Sequence, residues 1–245
     1  RILTILVLAC FAISAFAAPL QTFTLKEYLN RTWSDELVHF SFDVATTAKE
    51  MYLTDSAGTP LLCQFTDVTR ANGRVKGNIW TVVTLKALET RQFILQPGMP
   101  KTPPATDIAL TKTADAWELK NDRVGARLPL WPGKALPCPL TELPPPLASL
   151  SRGAKTGLTA GEWAHTGAPL IVKDAKTEVL EQGPLRVTVR QSFTLDDDRT
   201  YSMTIQLAGQ QDVFLITEDS TIVSPKTAFR LNMRAGLEAD QEIGR

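Results

Sequence analysis

The sequence predicts an all-β protein: two consecutive antiparallel β-sandwich or barrel domains, the second resembling a β-supersandwich. Three observations predict it. Apolar residues alternate with polar ones along one segment after another, the period of a half-buried strand. Turn signals recur at short intervals. No stretch carries a convincing helical period.

The clearest segment runs from Gly183 to Ser220. Leu185, Val187, Val189, Phe193 and Leu195 fall on one side of an extended chain, and Arg186, Thr188, Arg190, Ser192 and Thr194 on the other. Tyr201, Met203, Ile205 and Leu207 repeat the pattern. Burial sets the register we expect, Leu195 opposite Tyr201 and Phe193 opposite Met203, across a loop of about five residues. The aspartates Asp196, Asp197 and Asp198 in that loop lack the ligand spacing of an EF-hand, and Asp favours turns; we take them as a solvated turn. Val213 to Ile216 is apolar on both sides, the signature of a strand covered on both faces.

Earlier in the chain, Val38, Phe40, Phe42 and Val44 alternate with His39, Ser41 and Asp43, which puts His39 on the polar face. A turn is expected at Asp55–Pro60, and Asn72-Gly73 marks a tight hairpin. Ile79, Thr81, Val83 and Leu85 share one face of the next strand. Proline interrupts the pattern between Pro97 and Pro104, where we place a boundary between domains at 18–100 and 104–245. A meander with its turn at Asn121-Asp122 follows, with Trp117 and Leu119 facing inward. From Trp131 to Pro169 lies a long Pro/Gly-rich excursion of a kind that is usually functional or disordered.

The opening "RILTILVLACFAISAFAAPLQ" has one cation before an apolar run from Ile2 to Ala18, then a small-x-small site at Ala15–Ala17. The run is short for a transmembrane helix. Residues 1–17 are therefore expected to be an export signal, making the protein secreted or periplasmic with no membrane association after cleavage. Lipidation at Cys10 is the rival outcome. Asn30-Arg31-Thr32 matches the N-glycosylation triplet, which matters only in a eukaryotic secretory route.

Lys plus Arg and Asp plus Glu each number 26, so the net charge is zero and nothing points to nucleic acid. Cleavage would leave Cys63 and Cys138. Export permits a disulfide between them; two free thiols in separate domains are the other possibility. With His39 and His165 as the only histidines and no CxxC, no zinc site is expected, nor any other metal or cofactor. GxSxG, HExxH and a Gly-rich phosphate loop are all absent.

Candidate site residues are few. Trp131, Trp163 and His165 stand out in the long excursion. Exposed indole rings stack on sugars, and buried ones pin a loop to a sheet; the sequence leaves both open. Glu218 and Asp219 could rim a cleft, although neighbours on a strand point to opposite faces.

Two sets of segments resemble known families. "WSDELVHFSFDV", "MYLTDSAGTPLLCQFTDV" and "TLKALETRQFIL" resemble the N-terminal β domain of large exported polysaccharide-degrading proteins, notably the exo-acting rhamnogalacturonan lyase-like family. Asp55, Gly58, Pro60 and Gln64 match its hairpin pattern. "WELKNDRVGARLPL", "VLEQGPLRVTVRQSF" and "YSMTIQLAGQQDVFLITEDS" look like the β-supersandwich of such lyases and of α-mannosidase-type glycoside hydrolases, matched by Asn121, Gly183, Pro184, Tyr201 and Gly209. The resemblance implies a catalytic body in a downstream helical barrel, so no catalytic residue is carried over. The expected role is a non-catalytic N-terminal β region of an exported carbohydrate-active enzyme, partnered by a polysaccharide or a downstream catalytic domain. The alternative is a stand-alone glycan- or protein-binding module; a complete small hydrolase is the third possibility.

Overall fold

The computed structural model describes residues 18–153, 159–223 and 226–233. The expected signal at 1–17 and the last residues of the C-terminal segment, 234–245, lie outside them. The described chain is built of strands, with one short 3-10 turn at Leu140–Glu142.

Residues 20–95 form a two-sheet sandwich. One sheet holds β1 (Gln21–Lys26), β7 (Thr90–Pro97), β3 (Met51–Asp55) and β4 (Pro60–Leu61), in that order. The other is β2 (Trp33–Ala45), β6 (Arg74–Leu85) and β5 (Cys63–Ala71). Phe23, Phe42, Leu53, Ile79, Phe93 and Leu95 are buried between them. The apolar set expected on β6 faces this core, and Thr81 among it spends its hydroxyl on the Leu62 carbonyl, 2.9 Å away. Asn72 and Gly73 both adopt positive φ, 52° and 72°, joining β5 to β6 with Ala71 opposite Arg74. That is the two-residue turn whose twist suits a hairpin. His39 is exposed, as expected, its ring 4.6 Å from that of Trp80.

A second sandwich follows. β8 (Ala109–Lys112), β9 (Ala116–Lys120), β10 (Val124–Pro129) and β12 (Ser149–Arg152) form one sheet. The facing sheet runs β11 (Cys138–Pro139), β14 (Ile171–Gln182), β15 (Arg186–Leu195), β16 (Thr200–Ala208) and β17 (Leu215–Ser220). β13 (Thr159–His165) and β18 (Thr227–Met233) make a separate ribbon. Its core includes Leu119, Leu128, Val187, Phe193, Met203 and Ile205.

Three expectations are corrected here. First, Phe193 pairs with Tyr201 and Val189 with Ile205, so the hairpin register is two residues tighter than expected. The loop is Asp196–Asp198, closed by Leu195 N–H to the Arg199 carbonyl at 2.8 Å, with Asp198 at φ 67°. A slip of two residues keeps every side chain on its face. Burial therefore cannot choose between these registers, and the left-handed aspartate of the turn does. Second, the excursion from Trp131 to Pro169 is no open loop: it contributes β11, β12 and β13, and Leu140, Leu143 and Leu147 are buried in the core. Third, β17 is not covered on both faces. It is the edge strand of its sheet, and all six of its residues are exposed.

The two sandwiches meet through polar side chains. Gln64, on β5, is buried. Its Oε1 accepts from the backbone N–H groups of Leu185 (3.1 Å) and Arg186 (2.8 Å), and its Nε2 donates to Glu181 at 2.5 Å. Glu181 in turn holds Arg186 by two hydrogen bonds, of 2.8 and 3.0 Å. The Arg186 guanidinium lies 4.1 Å from the ring of Trp80, back on the first sandwich. Gly183 makes room for this: a Cβ there would fall 2.2 Å from the Gln64 amide carbon. A second tie joins Asp35 to Arg123 at 3.0 Å, and Gln211 donates to the Asp35 carbonyl.

Gln64→Ala would strand the N–H of Leu185, a residue with no exposed surface. An orphaned buried donor costs about 1–3 kcal/mol and a second is weakened here, so the expected loss is about 2–4 kcal/mol. Urea unfolding measures it; a midpoint equal to that of the native protein would show the bracket to be dispensable. Gln64→Glu should be worse, since it sets a carboxylate against Glu181.

Candidate functional site

The residues singled out in the sequence are mostly structural. Trp131 is 6% exposed, and its indole N–H donates to the Pro144 carbonyl at 2.8 Å. Trp163 is half-buried and donates to the same carbonyl at 3.3 Å. Around Trp163 stand the rings of Phe193, Tyr201 and Phe229, at 5.6, 5.2 and 5.8 Å. Of the two readings left open for these indoles, the structure supports pinning: they close the excursion onto the sheet, and Trp131 offers no open face to a sugar. His165 is spent as well. Its Nδ1 meets the Thr227 hydroxyl at 2.9 Å and its Nε2 the Ala168 carbonyl at 2.7 Å, which orders the turn beyond β13.

Glu218 and Asp219 diverge. Glu218 lies opposite Met203 and therefore on the core-facing side of β17; Asp219 lies opposite Ser202 on the other side. Tyr201 donates its phenol to Glu218 at 2.5 Å. Burial, and next the hydrogen bond to Glu218, push the phenol far above its ordinary range, so it stays protonated. The pair cannot share one site as acid and base.

Cys63 and Cys138 are free thiols, one on β5 and one on β11 in different sandwiches. Burial pushes the Cys63 thiol up to about 11 and raises that of Cys138 too. Burial therefore makes both thiols less ready to ionise than a free cysteine. No group of three metal-ligating side chains exists among the described residues.

Several concavities open among the described residues, and two of them bear on function. The larger, about 1120 Å³, is the groove between the sandwiches, with Tyr52, Asp67, Pro103, Glu181, Arg186 and Gln206 among its walls. Its partly buried charges, Glu181 and Arg186, pair at 2.8 Å, and this floor joins the two sandwiches.

The smaller, about 490 Å³, opens at the end of the first sandwich between β1, β2 and β6. Its floor is apolar: Leu25, Val38, Val83 and Leu85. Its lip is formed by Tyr28 and Leu29, in the segment after β1, and by Trp33, which opens β2. Glu27 builds that lip. Its buried carboxylate accepts from Leu29 N–H (2.6 Å), Leu88 N–H (2.8 Å) and the Trp33 indole N–H (3.3 Å). Burial works against the charge, but the donated N–H groups of Leu88 and Leu29, with the indole, outweigh it and hold the carboxyl at about 2 rather than 4.5. The sequence signal for this lip was weak, because the acceptor and its donors are scattered from position 27 to position 88.

No family model matches the chain, and no curated protein matches it. Among solved structures, the fold is similar to that of an α-mannosidase from Enterococcus faecalis V583, with a TM-score of 0.54 and 10% identity. The match covers 89% of this chain and 32% of that one. At that identity the likeness is one of fold, and it agrees with the supersandwich resemblance of the second half. The lyase-like resemblance of the first half rests on its motifs alone.

Two outcomes are expected. Trp131→Ala should lower unfolding stability by about 3–5 kcal/mol, the range for emptying a buried aromatic site, and leave any glycan affinity unchanged. A Glu27 carboxyl lowered on folding contributes stability that is complete above about 4.5 and is lost as pH falls from there towards about 2. The stability advantage of the native protein over Glu27→Gln should therefore shrink through that window. Thermal unfolding at stepped pH measures it, and a constant difference would remove the role given to the carboxylate.

Proposed function

We propose that this chain is a non-catalytic β region of an exported carbohydrate-active protein, a polysaccharide lyase or glycoside hydrolase, and that it seats a catalytic body. The observation that carries the reading is the open edge of the second sandwich. Val213, Leu215, Ile216 and Val223 are 61, 61, 42 and 92% exposed there, beside an edge strand with one neighbour. Exposed apolar side chains along an edge strand that has one neighbour among the described residues are a candidate interaction site. The fold likeness to a third of an α-mannosidase supports a carbohydrate context, and the apolar leader at 1–17 supports export to a secreted or periplasmic location. Polysaccharide and the catalytic body are the partners this reading implies.

The carboxylates support the non-catalytic half of the proposal. Glu27, Glu181 and Glu218 are each committed to structural hydrogen bonds. The test uses the complete gene product, obtained by reading the source DNA past Arg245. The double substitution Leu215→Lys and Ile216→Lys should release or disorder the catalytic body and lower polysaccharide turnover by about tenfold or more, since buried lysines oppose docking. Turnover by residues 18–245 alone, or full activity in the double variant, would overturn the proposal. A stop codon directly after Arg245 would leave the stand-alone binding module, the reading that the aromatic-lipped pocket favours.

A further inference from the structure

Of the aromatic side chains among the described residues, Tyr28 and Trp33 are the exposed ones, at 74 and 36%. Both stand on the lip of the same pocket. The buried Glu27 carboxylate anchors one of them, accepting from the Trp33 indole N–H at 3.3 Å, and it shapes the backbone beside the other through Leu29 N–H. Lys26 rests its ammonium 5.0 Å from the Tyr28 ring. Glu36 stands exposed on the same rim. The site thus combines two exposed aromatic rings, one of them anchored, an apolar floor, and a donor and an acceptor at the edge.

From this we propose that the pocket binds a neutral saccharide, one or two sugar units deep. The C–H face of a pyranose ring is apolar and complements an aromatic ring, while its hydroxyls need a donor and an acceptor at the periphery. Lys26 and Glu36 supply these, and with the ionised Glu27 the lining carries one net negative charge, which disfavours an anionic ligand. The fixed lip lowers the ordering cost of binding. The ligand class deepens the carbohydrate reading above, but the site itself stands on the geometry of the lip.

The test is a titration of the full chain with soluble gluco-, manno- and xylo-oligosaccharides, followed by tryptophan fluorescence and by the indole N–H resonance of Trp33. At least one should bind saturably. Tyr28→Ala and Trp33→Ala should each weaken it by about tenfold or more, as expected for loss of a stacking ring, and Glu36→Gln should weaken it less. Tyr28 is largely exposed, so Tyr28→Ala should unfold at the native urea midpoint and stand as the variant free of folding effects. Trp163→Ala should leave the affinity unchanged. No response to any oligosaccharide, binding indifferent to both aromatic substitutions, or occupation by an apolar peptide in place of sugar would each overturn the proposal. None of these outcomes would touch the accessory reading, which stands or falls on the turnover experiment.

Discussion

The Gln64 amide is the constraint on which the arrangement of the two sandwiches depends. It makes three hydrogen bonds across the junction, two of them to backbone donors that start β15. Magnitude separates it from the other tie. Asp35 and Arg123 are 35 and 47% exposed, and an ion pair in that setting is worth about 0–1 kcal/mol. Glu181 and Arg186 are only 21 and 13% exposed, where breaking one partner leaves an uncompensated charge. The junction is therefore held mainly at one point, by a neutral amide that orients a buried ion pair. Domains joined by polar surface move relative to one another by default. Here the second contact at Asp35 sits apart from the first and opposes rotation about it, even though it adds little energy.

Much of the fold was legible because burial imposes period two on a strand. The faces of β2, β6, β15 and β16, and the turns at Asp55–Pro60 and Asn72-Gly73, follow from pattern and turn chemistry alone. The failures have a common cause, since each concerns something that local pattern leaves degenerate. The β15–β16 register can slip by two residues without moving a side chain to the other face, so only the conformation of Asp198 resolves it. The residues from Trp131 to Pro169 carry no period because they supply single buried leucines to a core made elsewhere. Val213 to Ile216 has the composition of a covered strand, but the strand formed there, Leu215–Ser220, continues into polar residues and lies at the sheet edge.

The site was less legible than the fold. Trp131, Trp163 and His165 drew attention as conspicuous residue types, and conspicuous residues in a Pro/Gly-rich stretch are there to fasten it down. Motif residues quoted for their family resemblance proved more informative about structure than about chemistry. Asn121 is an example: its amide donates to the carbonyls of Ala208 and Gln211 and accepts from the N–H groups of Arg123 and Val124. That satisfies the whole side chain and ties the β9–β10 turn to the end of β16. Gln64 and Gly183 are complementary halves of one joint, a relation invisible at a separation of more than a hundred residues.

Buried carboxylates usually raise the suspicion of catalysis, because burial and charge together shift their protonation. In this molecule the same physics serves placement. Glu27 is buried and ionised, and its hydrogen bonds to Leu29, Leu88 and the Trp33 indole shape the pocket lip. Glu181 is partly buried and ionised, and it orients the arginine that spans the junction. Both carboxylates are engaged by several hydrogen-bond donors of the chain itself. The two sandwiches expose different surfaces, an apolar edge strand on one and an aromatic-lipped pocket on the other. Because Gln64 sets the angle between the sandwiches, it also sets the distance between those two surfaces, and hence where a ligand held at one would stand relative to a body docked at the other.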